Sequence, residues 1–364
     1  MNLDSLQGII RRIRHWIIPP PASIVGIDIG SGFIKAAEVS FTEPEPVLKA
    51  AGIAKLPDET IGAGHRRQQR LLSDSIKQLL LSSGIAAREA VVAASGRSIF
   101  VREVALPMMS KEELKEAIKW DMEKYVPYET GSYYYDYVLL GPGNDAIEIN
   151  VLIVAAPREI VDNLVPILKD AGCRILAVDI EPLAVVRTLP QLNHSLVIDI
   201  GDRVSQLTIF DRAVPVISRS IPLGGQNFTN PIGQALYPDP GAAENQYIRS
   251  ELSQTTEYMP GRNPMEKGMR LIAEELVREA RRTYEYYRTH IRETNREEIY
   301  LTGGGARLSQ FYDTIAEYVG DTQVTVHDPL KSIKVSSCLD EKYIQSVASQ
   351  LTVAIGLALR GCYD

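Results

Sequence analysis

Cysteine is scarce and carries no pattern. There are three, Cys173, Cys338 and Cys362, and no C-x-x-C pair. That excludes a zinc ribbon and a disulfide framework, and fits a reducing compartment. The five histidines are equally scattered. No apolar run approaches the ~20 residues a bilayer span requires. The N-terminal apolar residues are interrupted by arginine and lead to no small-residue cleavage site, so no secretory leader is expected. Positive charge is not in excess either. The net charge of −7 offers no general attraction for nucleic acid, and none is expected as a partner. With 45% apolar and 23% charged residues, a chain of 364 is a soluble globular protein long enough for two domains.

What is present begins with MNLDSLQGIIRRIRHWII. Leu3, Leu6, Ile10, Ile13 and Ile17 fall at helical spacing, and Arg11, Arg12, Arg14 and His15 cluster. This reads as a basic amphipathic helix within residues 1–21, stopped by PPPAS. Residues 1–18 are a candidate for peripheral contact with an anionic membrane; packing on their own domain is the ordinary alternative. Three strands follow, SIVGIDIGS, FIKAAEVS and EPVLKAAGIAKLP, then a helix ending at Gly84 and the buried strand EAVVAASG. The first glycine turn therefore opens a hairpin, unlike the strand-to-helix turn of a dinucleotide-binding unit. Residues near 97–176 read as a compact α+β insert. In it Ser110 and Glu113 form a capping box, GSYYYDYVLLG and AIEINVLIVAAP are strands, and Pro166 sits awkwardly inside a helix. The second half repeats the plan of the first: SLVIDIGDR turns into SQLTIFDRA, and VPVISRSIPLGG supplies a third strand. A polar stretch at about 226–264, a long helix, a strand–glycine–helix unit and an apolar C-terminal helix ended by Gly361 complete the chain.

Three glycine turns carry the chemistry. In Asp28-Ile29-Gly30-Ser31-Gly32-Phe33-Ile34-Lys35 the glycines allow a tight hairpin whose amides converge on an anion. Ser31 adds a hydroxyl, Lys35 a cation, and Asp28 a carboxylate able to hold hydrated Mg²⁺. The plain alternative is a glycine hairpin with an exposed Asp. In Asp199-Ile200-Gly201-Asp202-Arg203-Val204-Ser205 the acid and first glycine recur. Leu301-Thr302-Gly303-Gly304-Gly305-Ala306-Arg307 lets backbone approach a flat ring or a phosphate, or is a plain loop.

In this order the three elements resemble the actin-like ATPase superfamily over nearly the whole chain. The resemblance implies a bilobed α/β fold, two duplicated mixed-sheet domains around a nucleotide cleft with a small α+β insert. Domain I would cover 22–188 with the insert at about 97–176, domain II 189–334, and a C-terminal helix in 335–364 would return to domain I. It implies ATP or ADP with Mg²⁺, held by Asp28, Gly30, Ser31, Gly32 and Lys35 in a first phosphate loop, and by Asp199 and Gly201 in a second. Gly303, Gly304, Gly305 and Arg307 would form an adenosine loop, aided by Glu244 of the Ala243-Glu244 pair. Asp28 and Asp199 would reach the metal through water. Glu181, before Pro182, matches the residue that orients attacking water in filament relatives; its other reading is a helix-starting Glu beside a first-turn Pro. REVALPMMSKEELKEAIKWDMEKYVPYETG, AVDIEPLAVVR, IPLGGQNFT, LTGGGARL and VAIGLALRG narrow the resemblance to the type IV pilus assembly family of PilM. That implies a cytoplasmic scaffold at the inner face of the membrane, gripping the N-terminal segment of a PilN-like protein. Other pilus platform and motor components, and a second copy, are further candidate partners. The second turn departs from the family pattern at Asp202, Arg203 and Val204, and Tyr247 stands where relatives carry Lys. Nucleotide binding is thus better supported than hydrolysis. The alternatives are an active ATPase, a sugar or acetate kinase, or the actin-like part of a type II secretion platform.

Overall fold

The computed structural model describes residues 22–57, 65–143, 147–190, 194–227, 264–290, 298–307, 309–319 and 322–362. The basic N-terminal segment and the stretch with Ala243, Glu244 and Tyr247 lie outside these residues. In chain order, β1 (Ser23–Ile29), β2 (Phe33–Ser40) and β3 (Val47–Lys55) precede α1 (His65–Ser82) and β4 (Glu89–Ala94). Then come β5 (Phe100–Pro107), α2 (Lys111–Tyr125), β6 (Tyr133–Pro142), β7 (Glu148–Pro157), α3 (Arg158–Asp170), β8 (Arg174–Ile180) and α4 (Glu181–Val186). The second half holds β9 (His194–Ile200), β10 (Ser205–Asp211), β11 (Val214–Ile221), α5 (Pro264–His290), β12 (Glu298–Thr302), α6 (Ser309–Val319) and β13 (Gln323–Val326). Last are β14 (Lys334–Val335), α7 (Glu341–Val347) and α8 (Thr352–Ala358).

The duplication expected from the sequence is carried by strand order. One sheet runs β14-β3-β2-β1-β4-β8 and the other β11-β10-β9-β12-β13. In each, a three-stranded antiparallel meander is extended at one edge by two parallel strands, and in the first sheet the short β14 adds a third parallel strand beside β3. α1 covers one face of the first sheet with Leu72, Ile76, Leu79 and Leu80, the i, i+4, i+7, i+8 stripe of an amphipathic helix. Helix α5 does the same for the second sheet with Ala273, Leu276, Val277 and Ala280. Between the sheets lies a mixed core. Ile24, Val91 and Ala93 meet Ala184 and Val185 of α4 and Val353 and Leu357 of α8, together with Val197 and Phe210 of the second sheet. This packing depends on close backbone approach: a Cβ on Gly26 would lie 1.9 Å from the Ala354 carbonyl oxygen, and one on Gly356 1.9 Å from that of Ala184.

The insert is a third sheet, β5-β7-β6, with α2 against one face through Leu114, Ile118 and Met122. The expected capping box is present: Ser110 Oγ accepts from the Glu113 amide, and the Glu113 carboxylate accepts from the Ser110 amide at 2.9 Å. Pro166 sits inside α3 without ending it. The C-terminal helix differs from expectation. It is two short α-helices separated by a 3₁₀ turn at Ala348–Leu351, with a second 3₁₀ turn at Leu359–Cys362. The cause is Ser349, whose carbonyl is drawn out of the helical ladder by the Gly303 amide and the hydroxyls of Thr302 and Thr352, each at 3.0 Å.

Candidate functional site

The strand register fixes the first turn. Asp28 and Lys35 lie opposite one another on β1 and β2, and the ammonium sits 2.8 Å from Asp28 Oδ2. The Gly30 amide closes the turn by donating to Phe33 O at 3.0 Å, and the Lys35 ammonium lies over Gly30, 3.0 Å from where a Cβ would stand. Burial alone would lower the Lys35 pKa. The carboxylates of Asp28, Asp199 and Glu181 outweigh it and hold the pKa above its ordinary value. Four groups named from distant parts of the sequence thus share one electrostatic neighbourhood.

The second turn is built alike but charged differently. The register partner of Asp199 is Gln206, where Asp28 has Lys35. The Gln206 amide is engaged with Ser218 and Ser220, both at 2.6 Å. Lacking a cross-strand cation, Asp199 is pushed up to about 6, by burial first; Lys35 pulls it down and Asp28 pushes it up. Glu181, the first residue of α4, is pushed up to about 7, again by burial and then by the charge of Asp28. Both acids are packed deep among protein atoms yet keep a window to solvent. The turn itself is braced by Gly225, whose amide donates to Gly201 O at 2.9 Å, and by Gln226, whose amide donates to Asp202 O at 2.7 Å.

The third turn packs on the second. Gly303 has φ +84°, and a Cβ there would lie 2.2 Å from Asp199 Oδ1, so glycine is required on both counts. Ser349 clamps it: Gly303 N–H donates to Ser349 O at 3.0 Å, and Ser349 Oγ donates to Gly303 O at 3.1 Å. Gly304 is exposed, and even a Cβ there would stay 3.8 Å from its nearest neighbour, the Gln350 side chain, so a flat ring can approach the backbone. Gly305 is buried and Arg307 half-buried in a 3₁₀ turn.

The structure therefore brings Asp28, Lys35, Asp199, Glu181 and Gly303 together, with Gly30, Ser31, Gly32 and Gly201 on the same turns. Glu244 lies outside the described residues. Three buried carboxylates facing one lysine leave negative charge in excess, which suits a hydrated divalent cation carried by phosphate. Among the described residues no three acidic, imidazole or thiol groups are placed to hold a metal themselves. A cation there would depend on water and phosphate for its ligands.

Two features were missed by sequence reasoning. One is the Ser349 clamp. The other is a cavity of about 220 Å³ between α1 and α3, lined by Ile29, Leu72, Ala93, Ser95, Leu164 and Ile167. Its walls come from separate elements, so no local pattern announces it. The tyrosine strand β6 is largely exposed: Tyr133 is buried, Tyr134 and Tyr135 are exposed, Tyr134 donates to Asp162 Oδ1 at 3.0 Å, and the Arg158 guanidinium lies 4.2 Å from the Tyr134 ring centroid.

A family model described as type IV pilus assembly protein PilM matches residues 26–362. A solved structure described as a PilM-PilN type IV pilus biogenesis complex is 27% identical, with a TM-score of 0.78 over 94% of this chain and 99% of that one. The ethanolamine utilization protein EutJ of Carboxydothermus hydrogenoformans is 15% identical, with a TM-score of 0.52 over 94% of this chain and 90% of that one, a likeness of fold. The fold is the bilobed actin-like ATPase fold. Among the described residues no helix is long and apolar enough to cross a membrane.

Proposed function

The chain belongs to the type IV pilus assembly protein PilM family, and from that premise we propose that it is a nucleotide-holding scaffold at the cytoplasmic face of the inner membrane. The observation that carries this is the meeting of three glycine turns around Asp28, Lys35, Asp199 and Glu181. An adenine nucleotide would place its ring on the Gly303–Gly305 backbone, with its phosphates toward Ser31, Gly32 and Lys35. Bound Mg²⁺ would neutralise the phosphates and the excess carboxylate charge together. Ordering both phosphate turns at once favours one arrangement of the two halves, and a ligand that binds one arrangement better shifts the population to it.

The partner is a short N-terminal segment of a membrane-anchored PilN-like protein, the kind of assembly named for the 27%-identical structure. The cavity between α1 and α3 suits it. It is apolar on Leu72, Leu164 and Ile167, polar at its rim on His65, Gln68, Gln69 and Asn163 and at Ser95, and large enough for an anchoring side chain. Glu181 supports a second reading, slow hydrolysis. A carboxylate pushed up to about 7 is poised to take a proton near neutrality.

Two experiments test these readings. Nucleotide binding with and without Asp28→Ala, paired with a turnover assay, is expected to give binding that the substitution abolishes, and slow or absent turnover. Rapid phosphoryl transfer to a second substrate would replace the scaffold by a kinase. Capture of N-terminal peptides from membrane-anchored pilus proteins is expected for the wild type and not for Leu72→Glu. Binding of no such peptide removes the partner claim and leaves the fold untouched.

A further inference from the structure

Asp202 stands out because its side chain crosses the cleft. A Cβ on Gly32 would lie 2.1 Å from Asp202 Oδ2, 2.5 Å from its Cγ and 2.8 Å from its Cβ. The whole carboxymethyl group is therefore stacked on the first phosphate turn. Beside it, the Arg203 amide donates to Ser31 Oγ at 3.2 Å. The amide is thereby occupied across the gap, while the Ser31 hydroxyl accepts and keeps its own proton to donate. The Arg203 guanidinium reaches Asp202 only at 3.6 Å, through a buried Nε and beyond hydrogen-bond distance, so the pair is loose. Gln226 and Gly224 brace the Asp202 backbone from behind, with Gln226 N–H on Asp202 O at 2.7 Å and the Gly224 α-carbon packed on the Asp202 carbonyl. The carboxylate is thus aimed at the first turn by its own backbone.

We infer that Asp202 determines nucleotide specificity: its carboxylate on Gly32 disfavours a terminal phosphate, so the cleft holds a nucleoside diphosphate in preference to the triphosphate. This rests on the nucleotide reading above. With the ring at Gly304, the phosphates run toward the first turn, and the outermost one meets Gly32. To seat it, Asp202 must lift from Gly32. The added charge must also be accommodated beside Asp202 in a pocket already rich in carboxylates. A like charge at contact distance in a partly solvated pocket weakens binding roughly tenfold.

The test is the dissociation constant of ADP, ATP and a non-hydrolysable ATP analogue, each with Mg²⁺, measured on the full chain by displacement of a fluorescent nucleotide. Wild type is expected to bind ADP about tenfold more tightly than either triphosphate. Asp202→Asn and Asp202→Ser should bring that ratio near one by strengthening triphosphate binding, while Asp202→Glu, which keeps the charge, should retain a preference. A wild-type ratio near one, or Asp202→Asn changing ADP and ATP affinity by the same factor, overturns the inference and leaves nucleotide binding standing. Loss of MgATP affinity in Asp202→Asn also overturns it, by placing Asp202 among the groups that hold the metal. If no nucleotide binds to any variant, the nucleotide reading falls and the inference with it.

Discussion

Replacing Asp199 by Asn should make the protein more stable while removing its function. Asp199 is raised from an ordinary 3.8 to about 6 because burial penalises its charge and its register partner is Gln206, not a lysine. An acid whose folded pKa is raised costs stability above that pKa and nothing below its unfolded value. Each tenfold in proton affinity corresponds to about 1.4 kcal/mol, so the full shift is worth about 3 kcal/mol. Asp199 keeps a window to solvent and feels Lys35, which screens part of this, so a gain of about 1–2 kcal/mol is expected for Asp199→Asn at pH 8. The advantage should shrink as pH falls from about 6 toward 4 and vanish below the unfolded pKa, where wild type is itself neutral at this position. Urea denaturation of the full chain at pH 8 and at pH 4 measures it, as a midpoint shift at constant slope. On the nucleotide reading proposed above, the same variant should lose nucleotide binding, since Asp199 would support the metal and abuts Gly303. A variant less stable than wild type at pH 8, or equally stabilised at both pH values, would refute the reasoning.

The β10–β11 hairpin turns through Arg212 at φ 48° and Ala213 at φ 66°, a left-handed pair that most side chains resist. Arg212→Asn with Ala213→Gly should raise stability by about 1 kcal/mol, seen as a higher melting temperature. Gly356→Ala would drive a methyl to 1.9 Å from Ala184 O and should cost more than about 3 kcal/mol or leave the chain insoluble, read from soluble yield and denaturation. Trp120 is 77% exposed on α2, so Trp120→Ser should leave the melting temperature unchanged within the equivalent of about 0.5 kcal/mol; a large drop would mean that its surface is covered.

The parts of the site legible in sequence are those written within one turn. Asp28, Gly30 and Lys35 fall at hairpin spacing, so their meeting follows from register alone, and the triple glycine between strand and helix was visible for the same reason. The departure at Asp202 and Arg203 was legible as an oddity, but its contact with Gly32 joins residues from opposite halves and needed the tertiary structure. Ser349 looked like an ordinary polar residue in an apolar helix. Its role depends on Gly303 being beside it, and that diverted carbonyl is why one expected helix became two. Asp179 entered the sequence reading only within the AVDIEPLAVVR motif, yet it is buried between Arg187 at 2.8 Å and Arg360 at 3.4 Å, tying the start of α4 to its end and to the C-terminal turn. Such pairs leave no periodicity to find.

The seating of α8 sets an order of events during synthesis. Residues 352–358 are packed on β1, which is made more than 300 residues earlier, and they complete the layer between the two sheets. The first half therefore cannot finish its core while the ribosome is still adding the second. Its β1 and β2 must wait with an open apolar face through most of translation, a period in which folding helpers or neighbouring nascent chains can reach it. Stalled translation short of residue 352 should release a product that is cleared by proteolysis even though every turn of the cleft has already been made.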